Sequence, residues 1–403
     1  MSYAQYQNTS FFKRLPINWR LKTFNDAVKD ITSGNVKLKK EDYQESGIYP
    51  IVDQGKELIA GYTDDDICIA NNYECIVFGD HTRIFKYVDF NFVLGADGVK
   101  VLVPKAGDIE VKYLYYFFQT LDIPNTGYNR HFKYLKDVII PLPPLEEQKK
   151  IARVLDKAQS LIDKRKEAIA KLDELLKSKF GEMFGDPINN PKGWEVKKLK
   201  TISKKILSGN TPKGGSEVYV DEGIMFFRSQ NVWKNKLVLE DVAYIDKETH
   251  DKMGKSSLRN RDILMTKTGR INTENSSLGR AAMFLGEDDS ANINGHVYLI
   301  RLQKEIVHEF VLFILTTDEY REYIRGVCVG GIDKRQINKE HLEEFPIIFP
   351  PIKLQNQFSD FVKQVNKLKF EMEAHLKEIE NNFNALLQQA FKGELSIKDE
   401  INV

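Results

Sequence analysis

An internal duplication runs through this chain. Three pairs of segments match in the same order along the sequence: residues 19–22 with 194–197, residues 31–35 with 206–210, and residues 143–148 with 350–355. The first two pairs share one offset and the third pair has a larger one, so the second copy is longer, mostly in its middle. Such a repeat decides the architecture before any local signal does, because each copy must fold into a similar domain.

The bulk of each copy reads as short strands. β-branched or aromatic runs separated by Gly, Asp and Asn predict strands at 48–52, 67–70, 76–78 and 99–103, and again at 224–228, 263–266, 281–285 and 297–302. One aromatic-rich helical stretch follows in each copy, at 111–120 and 309–323. The sequence therefore predicts an α+β fold rather than a regular alternation of strand and helix.

Each copy ends in a long amphipathic helix that starts at a diproline. Proline suits the first turn of a helix, and Gly181 and Gly393 supply stop signals. Apolar residues recur in steps of three and four, a heptad pattern that favours a partner helix. The predicted seam residues are Ile151, Leu155, Ile162, Ile169, Leu172 and Leu176 in the first helix, and Phe358, Phe361, Val365, Leu368, Met372, Ile379, Phe383 and Leu386 in the second. His375 and Arg165 fall on the same seams and are interpreted as packing or register residues.

Composition excludes several classes of protein. The 59 Lys and Arg residues balance 58 Asp and Glu, so any affinity for DNA must come from local basic patches or from a basic partner. Three cysteines, Cys68, Cys75 and Cys328, are too few for a disulfide framework or a zinc site. No apolar run is long enough to span a membrane and the first residues do not resemble a signal peptide, which predicts a cytoplasmic protein.

Motifs for catalysis are missing from the sequence. A DNA methyltransferase would need a glycine-rich cofactor loop and an Asn/Asp-Pro-Pro-aromatic motif, and the chain has neither, nor a P-loop for ATP. The seven histidines lack metal-ligand spacing, and the acidic runs 64–66 and 288–289 are interpreted as solvated loops. We expect no catalytic residue, no metal and no cofactor in this chain.

Several motifs with their order and duplication resemble one known family. These are the segment 140–151 (Ile-Pro-Leu-Pro-Pro-Leu-Glu-Glu-Gln-Lys-Lys-Ile) and its looser copy at 345–357, the junction 184–187 (Phe-Gly-Asp-Pro) with 190–194, and the segment 207–212. Over nearly its whole length the chain resembles the specificity (S) subunits of type I restriction–modification systems. It departs from the pattern at the start of the second helix, where Lys353-Leu354-Gln355 replaces the usual acidic residue before Gln.

The resemblance implies a pseudo-twofold tandem repeat. Its parts would be a first target recognition domain (1–143), a first spacer helix (144–184), a second target recognition domain (185–350), a second spacer helix (351–393) and a tail (394–403). The two helices would form an antiparallel coiled coil, set the gap of a bipartite DNA site and dock two modification (methyltransferase) subunits. Those partners would carry S-adenosylmethionine for adenine methylation, and restriction subunits of the full complex would carry ATP and Mg²⁺.

Residues able to read double-stranded DNA occur in matching loops of the two copies. Base edges are read by Arg, Lys, Asn and Gln, and phosphates by Lys, Arg and hydroxyls. The candidates are His81, Arg83, Lys86, Asn129, Arg130 and Lys133 in the first copy, and Arg228, Gln230, Asn231, Lys234, Lys267, Arg270, Asn272, Lys334, Arg335 and Gln336 in the second. Because the two sets differ, the predicted target is asymmetric.

Two other functions stay open on the sequence alone. A protein-interaction scaffold, with the coiled coil as its working part and no sequence-specific DNA binding, would show the same architecture. An enzyme fused to recognition domains is disfavoured by the missing cofactor motifs.

Overall fold

A computed structural model describes residues 15–65, 74–95, 98–271, 275–331 and 334–395. The chain divides into two units, the first formed by Met1–Glu167 and Met372–Val403 and the second by Ala168–Glu371. The predicted strand at 67–70, together with Cys68 and Asn272, lies outside the described residues.

Before the long helix begins, the described residues of the first unit form ten strands and two α-helices. They are β1 (Arg20–Thr23), α1 (Phe24–Ala27), β2 (Val28–Asp30), β3 (Lys37–Leu38), β4 (Tyr49–Val52), β5 (Gly61–Thr63), β6 (Cys75–Gly79), β7 (Phe85–Val88), β8 (Val93–Gly95), β9 (Val99–Pro104), α2 (Val111–Gln119) and β10 (Ile139–Leu142). The long helix α3 (Leu145–Phe184) follows and continues into the second unit. Helix α2 buries Tyr113, Leu114 and Phe118, and so it anchors this unit's core.

The second unit repeats this order with additions. Its elements are β11 (Val196–Lys198), α4 (Leu199–Ile202), β12 (Ser203–Ser208), β13 (Tyr219–Val220), β14 (Ile224–Phe227), β15 (Val232–Trp233), β16 (Lys236–Leu237), β17 (Ala243–Ile245), α5 (Lys247–Lys252), β18 (Ile263–Thr266), β19 (Thr268–Gly269), β20 (Ala281–Met283), β21 (Ala291–Ile293), β22 (Val297–Leu302), α6 (His308–Leu315), α7 (Asp318–Val327), β23 (Val329–Gly330), β24 (Arg335–Gln336), α8 (Lys339–Glu343) and β25 (Pro346–Ile348). The last helix, α9 (Ile352–Phe391), returns into the first unit.

Strand order shows that the two units share one fold. The main sheet of the first unit has the order β2-β9-β6-β7, and that of the second has the order β12-β22-β18-β20. In both units a further sheet contains an equivalent parallel pair, β4 with β8 and β14 with β21, and in the first unit β3 also pairs with β8 in parallel. An antiparallel pair joins the start and end of each copy, β1 with β10 and β11 with β25. The α+β tandem repeat predicted from the sequence is confirmed.

One helical prediction was wrong in detail. The stretch 309–323 is two helices, α6 and α7, rather than one. The break lies at Thr316 and Thr317, and the Thr317 hydroxyl accepts a hydrogen bond from the backbone N–H of Tyr320 at 3.2 Å. A threonine that caps a new helix in this way competes with continuation of the preceding one.

Part of the extra length of the second unit lies in the turn after β18, which is equivalent to the turn after β6 in the first unit. In the first unit the backbone N–H of Gly79 pairs with the carbonyl of Ile84, and in the second that of Thr266 pairs with the carbonyl of Arg280. Arg83 and Gly279 occupy the same place in these turns, with φ values of 65° and 69°. The longer turn carries β19, which pairs with β24, and β24 pairs with β23.

The long helices pair in opposite directions within each unit. In the first unit the beginning of α3, at Ile151, Leu155 and Ile162, shares a core with the end of α9, at Phe383 and Leu387. In the second unit the end of α3 shares a core with the beginning of α9, and its members there are Leu176, Phe180, Phe184, Phe358, Val362 and Val365. The helices therefore run antiparallel, as predicted.

The seam of α9 differs from the predicted one. Leu368 is 46% exposed and His375 is exposed, so neither lies in the seam. Buried or half-buried residues instead follow the phase Phe358, Val362, Val365, Lys369, Met372, Leu376, Ile379, Phe383 and Leu387. Lys369 takes the place expected for Leu368 and binds Asp173 of α3, with Nζ 2.7 Å from Oδ2. Apolar residues occur at adjacent positions along this helix, so the heptad pattern can be aligned in two ways. Packing against α3 selects one of them.

Candidate nucleic-acid interface

Two loops predicted to contact DNA meet in the first unit at Asp80, directly after β6. The Asp80 carbonyl accepts hydrogen bonds from the His131 backbone N–H at 2.9 Å and from His131 Nδ1 at 2.8 Å. The Asp80 carboxylate accepts a third from the Phe132 backbone N–H at 2.6 Å. This joint brings residues 80–83 beside residues 127–133, although some 50 residues separate them in the sequence.

A third loop joins them through Gln54. Its side-chain oxygen accepts a hydrogen bond from the His81 backbone N–H at 3.3 Å, and its carbonyl accepts one from the Thr82 hydroxyl at 2.6 Å. We name residues 53–54, 80–83 and 127–133 the first loop cluster. Three separate segments tied to each other by buried or half-buried hydrogen bonds form a defined surface rather than independent loops.

The outer part of the first loop cluster carries polar and basic side chains. His81 Nδ1 donates to the Asn129 carbonyl at 3.2 Å, and the Asn129 side chain donates to the Thr126 carbonyl. Arg130 and Lys133 are exposed. Within the described part of the chain Arg130 has no hydrogen-bond or ion-pair partner, so its guanidinium is available to an anion.

Two predicted residues of the first copy face inward. Lys86 is 5% exposed, donates to the Asp53 carbonyl at 2.8 Å and lies 3.6 Å from the Asp53 carboxylate. Burial lowers the pKa of this ammonium, against the opposing effect of Asp53. Lys86 therefore stabilises the loop at Asp53 from its buried side and is not available to contact DNA. Arg83 donates to the Ile123 carbonyl at 3.1 Å and is half-buried, so it too holds the turn together.

The second unit brings its predicted loops together at the equivalent place. The Lys267 backbone N–H donates to the His296 carbonyl and its carbonyl accepts from the Ile337 N–H, just as Asp80 pairs with Gly98 and His131. In addition, Thr268 and Gly269 pair as a strand with Gln336 and Arg335. We name residues 267–270 and 334–336 the second loop cluster.

The second loop cluster is more basic than the first. Arg270 and Lys334 are exposed and lack an ion-pair partner among the described residues. The Lys267 ammonium lies 5.6 Å from the ring centre of Tyr298. Gln336 is exposed and donates to Asn338 at 3.1 Å, and Arg335 is half-buried with its Nε unpaired.

The loop at 228–231 has a structural role centred on Asp241. Asn231 is fully buried and donates to the Asp241 carboxylate at 2.8 Å, which removes it from the candidates. Gln230 donates to the same carboxylate at 3.1 Å, and Arg228 donates to the Asp241 carbonyl. Lys234 pairs with Asp318 at 3.3 Å. These four residues are less available to DNA than those of the second loop cluster.

The structure adds aromatic side chains that were missed from the sequence. Tyr128 is 86% exposed and lies on the first loop cluster. Trp233 is 41% exposed, and the Arg280 guanidinium lies 3.8 Å from its ring centre. Burial, followed by the charge of Arg321, lowers the pKa of Arg280. An aromatic residue inside a polar, basic loop was the available signal in both cases.

The described residues contain no group of three His, Cys, Asp or Glu side chains that could hold a metal ion. No helix in the described ranges is long and apolar enough to cross a membrane. What the two loop clusters offer is hydrogen-bond donors and positive charge on two similar domains.

The family model for the type I restriction modification DNA specificity domain matches this chain twice, at residues 16–174 and 191–381. The chain belongs to the type I restriction–modification DNA specificity family. Each of the two matches contains one loop cluster, so each cluster lies on its own DNA specificity domain.

Curated relatives of this specificity chain span most of its length. It is 22% identical over 411 residues to the MjaVIII specificity subunit of Methanocaldococcus jannaschii, and the alignment covers 96% of this chain and 95% of that relative. It is 24% identical over 293 residues to the EcoBI specificity subunit of Escherichia coli, covering 65% and 59%.

Solved structures show the same fold. The S subunit from M. genitalium aligns with a TM-score of 0.54 at 18% identity, covering 94% of this specificity chain and 98% of that one. A chain from work on complex assembly and conformational transition of the type I R-M system aligns with a TM-score of 0.51 at 17% identity, covering 94% and 99%.

Proposed function

We propose that this chain is the non-catalytic specificity subunit of a type I restriction–modification complex and that each domain reads one half of an asymmetric bipartite site in double-stranded DNA. One observation carries the proposal. The two loop clusters occupy equivalent places on the duplicated domains, because the loops of the first meet at Asp80 and those of the second meet at Lys267. The side chains that they present nevertheless differ. Equivalent position with different chemistry suits two half-sites that differ in sequence.

The charges of the loop clusters support contact with DNA. The chain as a whole is nearly neutral, with a formal net charge of +1. Arg130, Arg270 and Lys334 are nevertheless exposed without an ion-pair partner among the described residues. Free cations on a nearly neutral protein concentrate the attraction to phosphates at the two clusters, where Asn129 and Gln336 could contact base edges.

We infer that the paired helices set the number of base pairs between the half-sites. Each helix has 40 residues and runs without a break through both units. Inserting seven residues into each helix would lengthen the pair by about 10 Å, or about three base pairs. A selected site whose gap does not change after this insertion would contradict the inference.

We further propose that the helices dock two modification subunits, which bring S-adenosylmethionine and methylate adenine, and that restriction subunits bring ATP and Mg²⁺. The second unit's part of the helices carries apolar side chains that this chain leaves exposed, among them Phe370 at 73%. Loss of co-purification with the modification subunit in Phe370→Ala would support docking there, and unchanged stoichiometry would count against it.

The test of DNA reading is selection from a random-sequence duplex library with the purified chain. We expect enrichment of two different short blocks separated by a fixed, unspecific gap. Replacing Arg130 and Lys133 with Ala should weaken binding to the selected duplex and reduce the slope of log affinity against log salt by about 2. The matched control, Lys157→Ala with Lys164→Ala on exposed positions of α3, should leave both unchanged.

The alternative is a protein-interaction scaffold without sequence-specific DNA binding. Such a protein would enrich no sequence, and its affinity for duplex DNA would be the same for every sequence at fixed salt. That outcome would replace the proposed function.

A further inference from the structure

The first loop cluster presents a flat aromatic surface. The ring of Tyr128 stacks on the imidazole of His81 with centroids 4.4 Å apart and planes within 2° of parallel. Tyr128 is nevertheless 86% exposed, so the stack covers little of the phenol and most of its surface faces solvent. Beside it stands Arg130, exposed and without an ion-pair partner in the described ranges.

Several contacts hold His81, the support of the stack, in place before any ligand arrives. His81 is fixed through its backbone N–H to Gln54 and through Nδ1 to the Asn129 carbonyl. Gly98 has a φ of 84°, and a Cβ there would lie 2.6 Å from His81 Cδ2, so only glycine leaves room for the imidazole. A side chain that is already ordered loses little conformational entropy on binding.

The chemistry of the stack narrows what it can contact on a duplex. Phosphates bind cations and hydrogen-bond donors, not the face of a phenol ring. Base faces are covered by stacking inside the duplex and would have to leave the helix to meet the ring. In the major groove the apolar group that a base offers is the C5-methyl group of thymine.

We propose that Tyr128, supported by His81, reads the C5-methyl group of one thymine in the half-site bound by the first domain. The inference rests on the proposed function and assigns part of its specificity. Arg130, two residues further along, contacts the adjoining phosphate and so holds the ring against the groove. Tyr128 is thus a specificity-determining residue, and His81 is the residue that positions it.

The second domain reads its half-site differently. Counting along the chain from the equivalent hydrogen bonds, His131 to Asp80 and Ile337 to Lys267, makes Thr268 the counterpart of His81 and Lys334 the counterpart of Tyr128. Neither residue is aromatic. We therefore expect thymine-methyl reading by this pair of residues in the first half-site and not in the second.

The test uses the full chain and the duplex selected from the random library. Each thymine of that duplex is replaced in turn by deoxyuridine, which lacks only the C5-methyl group. We expect one position, in one half-site, where the replacement weakens wild-type binding about fourfold, the effect of one buried methyl-sized group. Placing 5-methylcytosine there should bind better than placing cytosine.

Matched variants connect this position to Tyr128. Tyr128→Ala should bind the thymine and deoxyuridine duplexes equally, whereas Tyr128→Phe should keep the full preference because the ring is retained. His81→Ala should reduce the preference while the salt slope stays as in the wild type. Circular dichroism checks that each variant is folded, as the exposure of Tyr128 leads us to expect.

The outcomes separate the inference from the proposed function. A library that yields no sequence overturns the proposed function. If a bipartite sequence is selected but no thymine responds to deoxyuridine, or if Tyr128→Ala responds as the wild type does, thymine-methyl reading is wrong while DNA specificity stands. If Tyr128→Ala weakens binding to every duplex by the same factor, the ring contributes to sequence-independent binding. That result would also overturn the inference.

Discussion

Two equivalent glutamines offer a test in which the chain supplies its own control. Gln148 and Gln355 lie in the first turns of α3 and α9, and both are fully buried. Gln148 makes three hydrogen bonds: it donates to the carbonyls of Pro143 at 2.8 Å and Asp108 at 3.0 Å, and accepts from the Glu110 N–H at 2.9 Å. Gln355 donates to the Pro350 carbonyl at 2.7 Å, and its side-chain oxygen is buried without a partner.

Replacement of each glutamine with Met, which has a similar shape, gives different expected costs. Gln148→Met removes three hydrogen bonds worth roughly 1 kcal/mol each, so the free energy of unfolding of the first unit should fall by about 3 kcal/mol. Gln355→Met removes one bond but also a buried, unsatisfied oxygen, whose burial costs about 1 to 3 kcal/mol. On this scale its net effect on the second unit should lie between no change and a gain of about 2 kcal/mol.

Urea unfolding measures the two free energies, and hydrogen exchange read by mass spectrometry assigns each change to a unit. Gln388→Met, on an exposed position of α9, is the matched control and should change stability by less than about 0.5 kcal/mol. Equal losses for Gln148→Met and Gln355→Met would refute the reasoning, because the burial of the two residues is the same and only the hydrogen bonds differ.

Three further predictions concern packing, pH and the buried lysine. Phe358→Ala should cost the second unit about 3 to 5 kcal/mol in urea unfolding, since Phe358 is fully buried, whereas Phe370→Ala should cost less than about 0.5 kcal/mol; similar values would contradict the antiparallel core. The hydrogen bond from Lys177 lowers the pKa of Asp318 below 3.8, so the stability it adds is complete above that value and is lost as the pH falls through the folded-state pKa. Asp318→Asn should remove this acid-side dependence, worth under about 1 kcal/mol at a partly exposed pair, and an unaltered pH profile of unfolding would refute the assignment. Lys86→Met should lower the melting temperature without changing the salt slope of DNA binding, and a reduced slope would return Lys86 to the DNA-contacting residues.

Much of the architecture was predictable because duplication and periodicity are written directly in the sequence. The repeated segments at 19–22 and 194–197 overlap the equivalent strands β1 and β11, and the diprolines stand just before α3 and α9. Strands such as β9 and β22 are rich in β-branched and other apolar residues, which favour a strand over a helix or a loop. The resemblance to specificity subunits rested on the order of such motifs, and the family match agrees with it.

The details that failed depend on contacts between distant residues. The sequence suggests that Lys86 is a surface cation, yet its ammonium is buried against the carbonyl and carboxylate of Asp53. Leu368 and Lys369 are neighbours that each fit one phase of the heptad, and Asp173 on the other helix decides between them. The aromatic Tyr128 in a polar, basic loop was a local signal, but its stacking on the imidazole of His81 depends on the tertiary fold. Local pattern predicts which elements form, and tertiary packing selects which side chains stay available.

The central claim is that this chain gives a methyltransferase complex one asymmetric, bipartite DNA sequence. The most direct measurement is single-molecule sequencing of modified bases in the genome of cells that express the complex with and without this chain. We expect one discontinuous motif with two different halves, modified when the chain is present and unmodified without it. A palindromic or continuous motif, or modification that does not depend on the chain, would contradict the account.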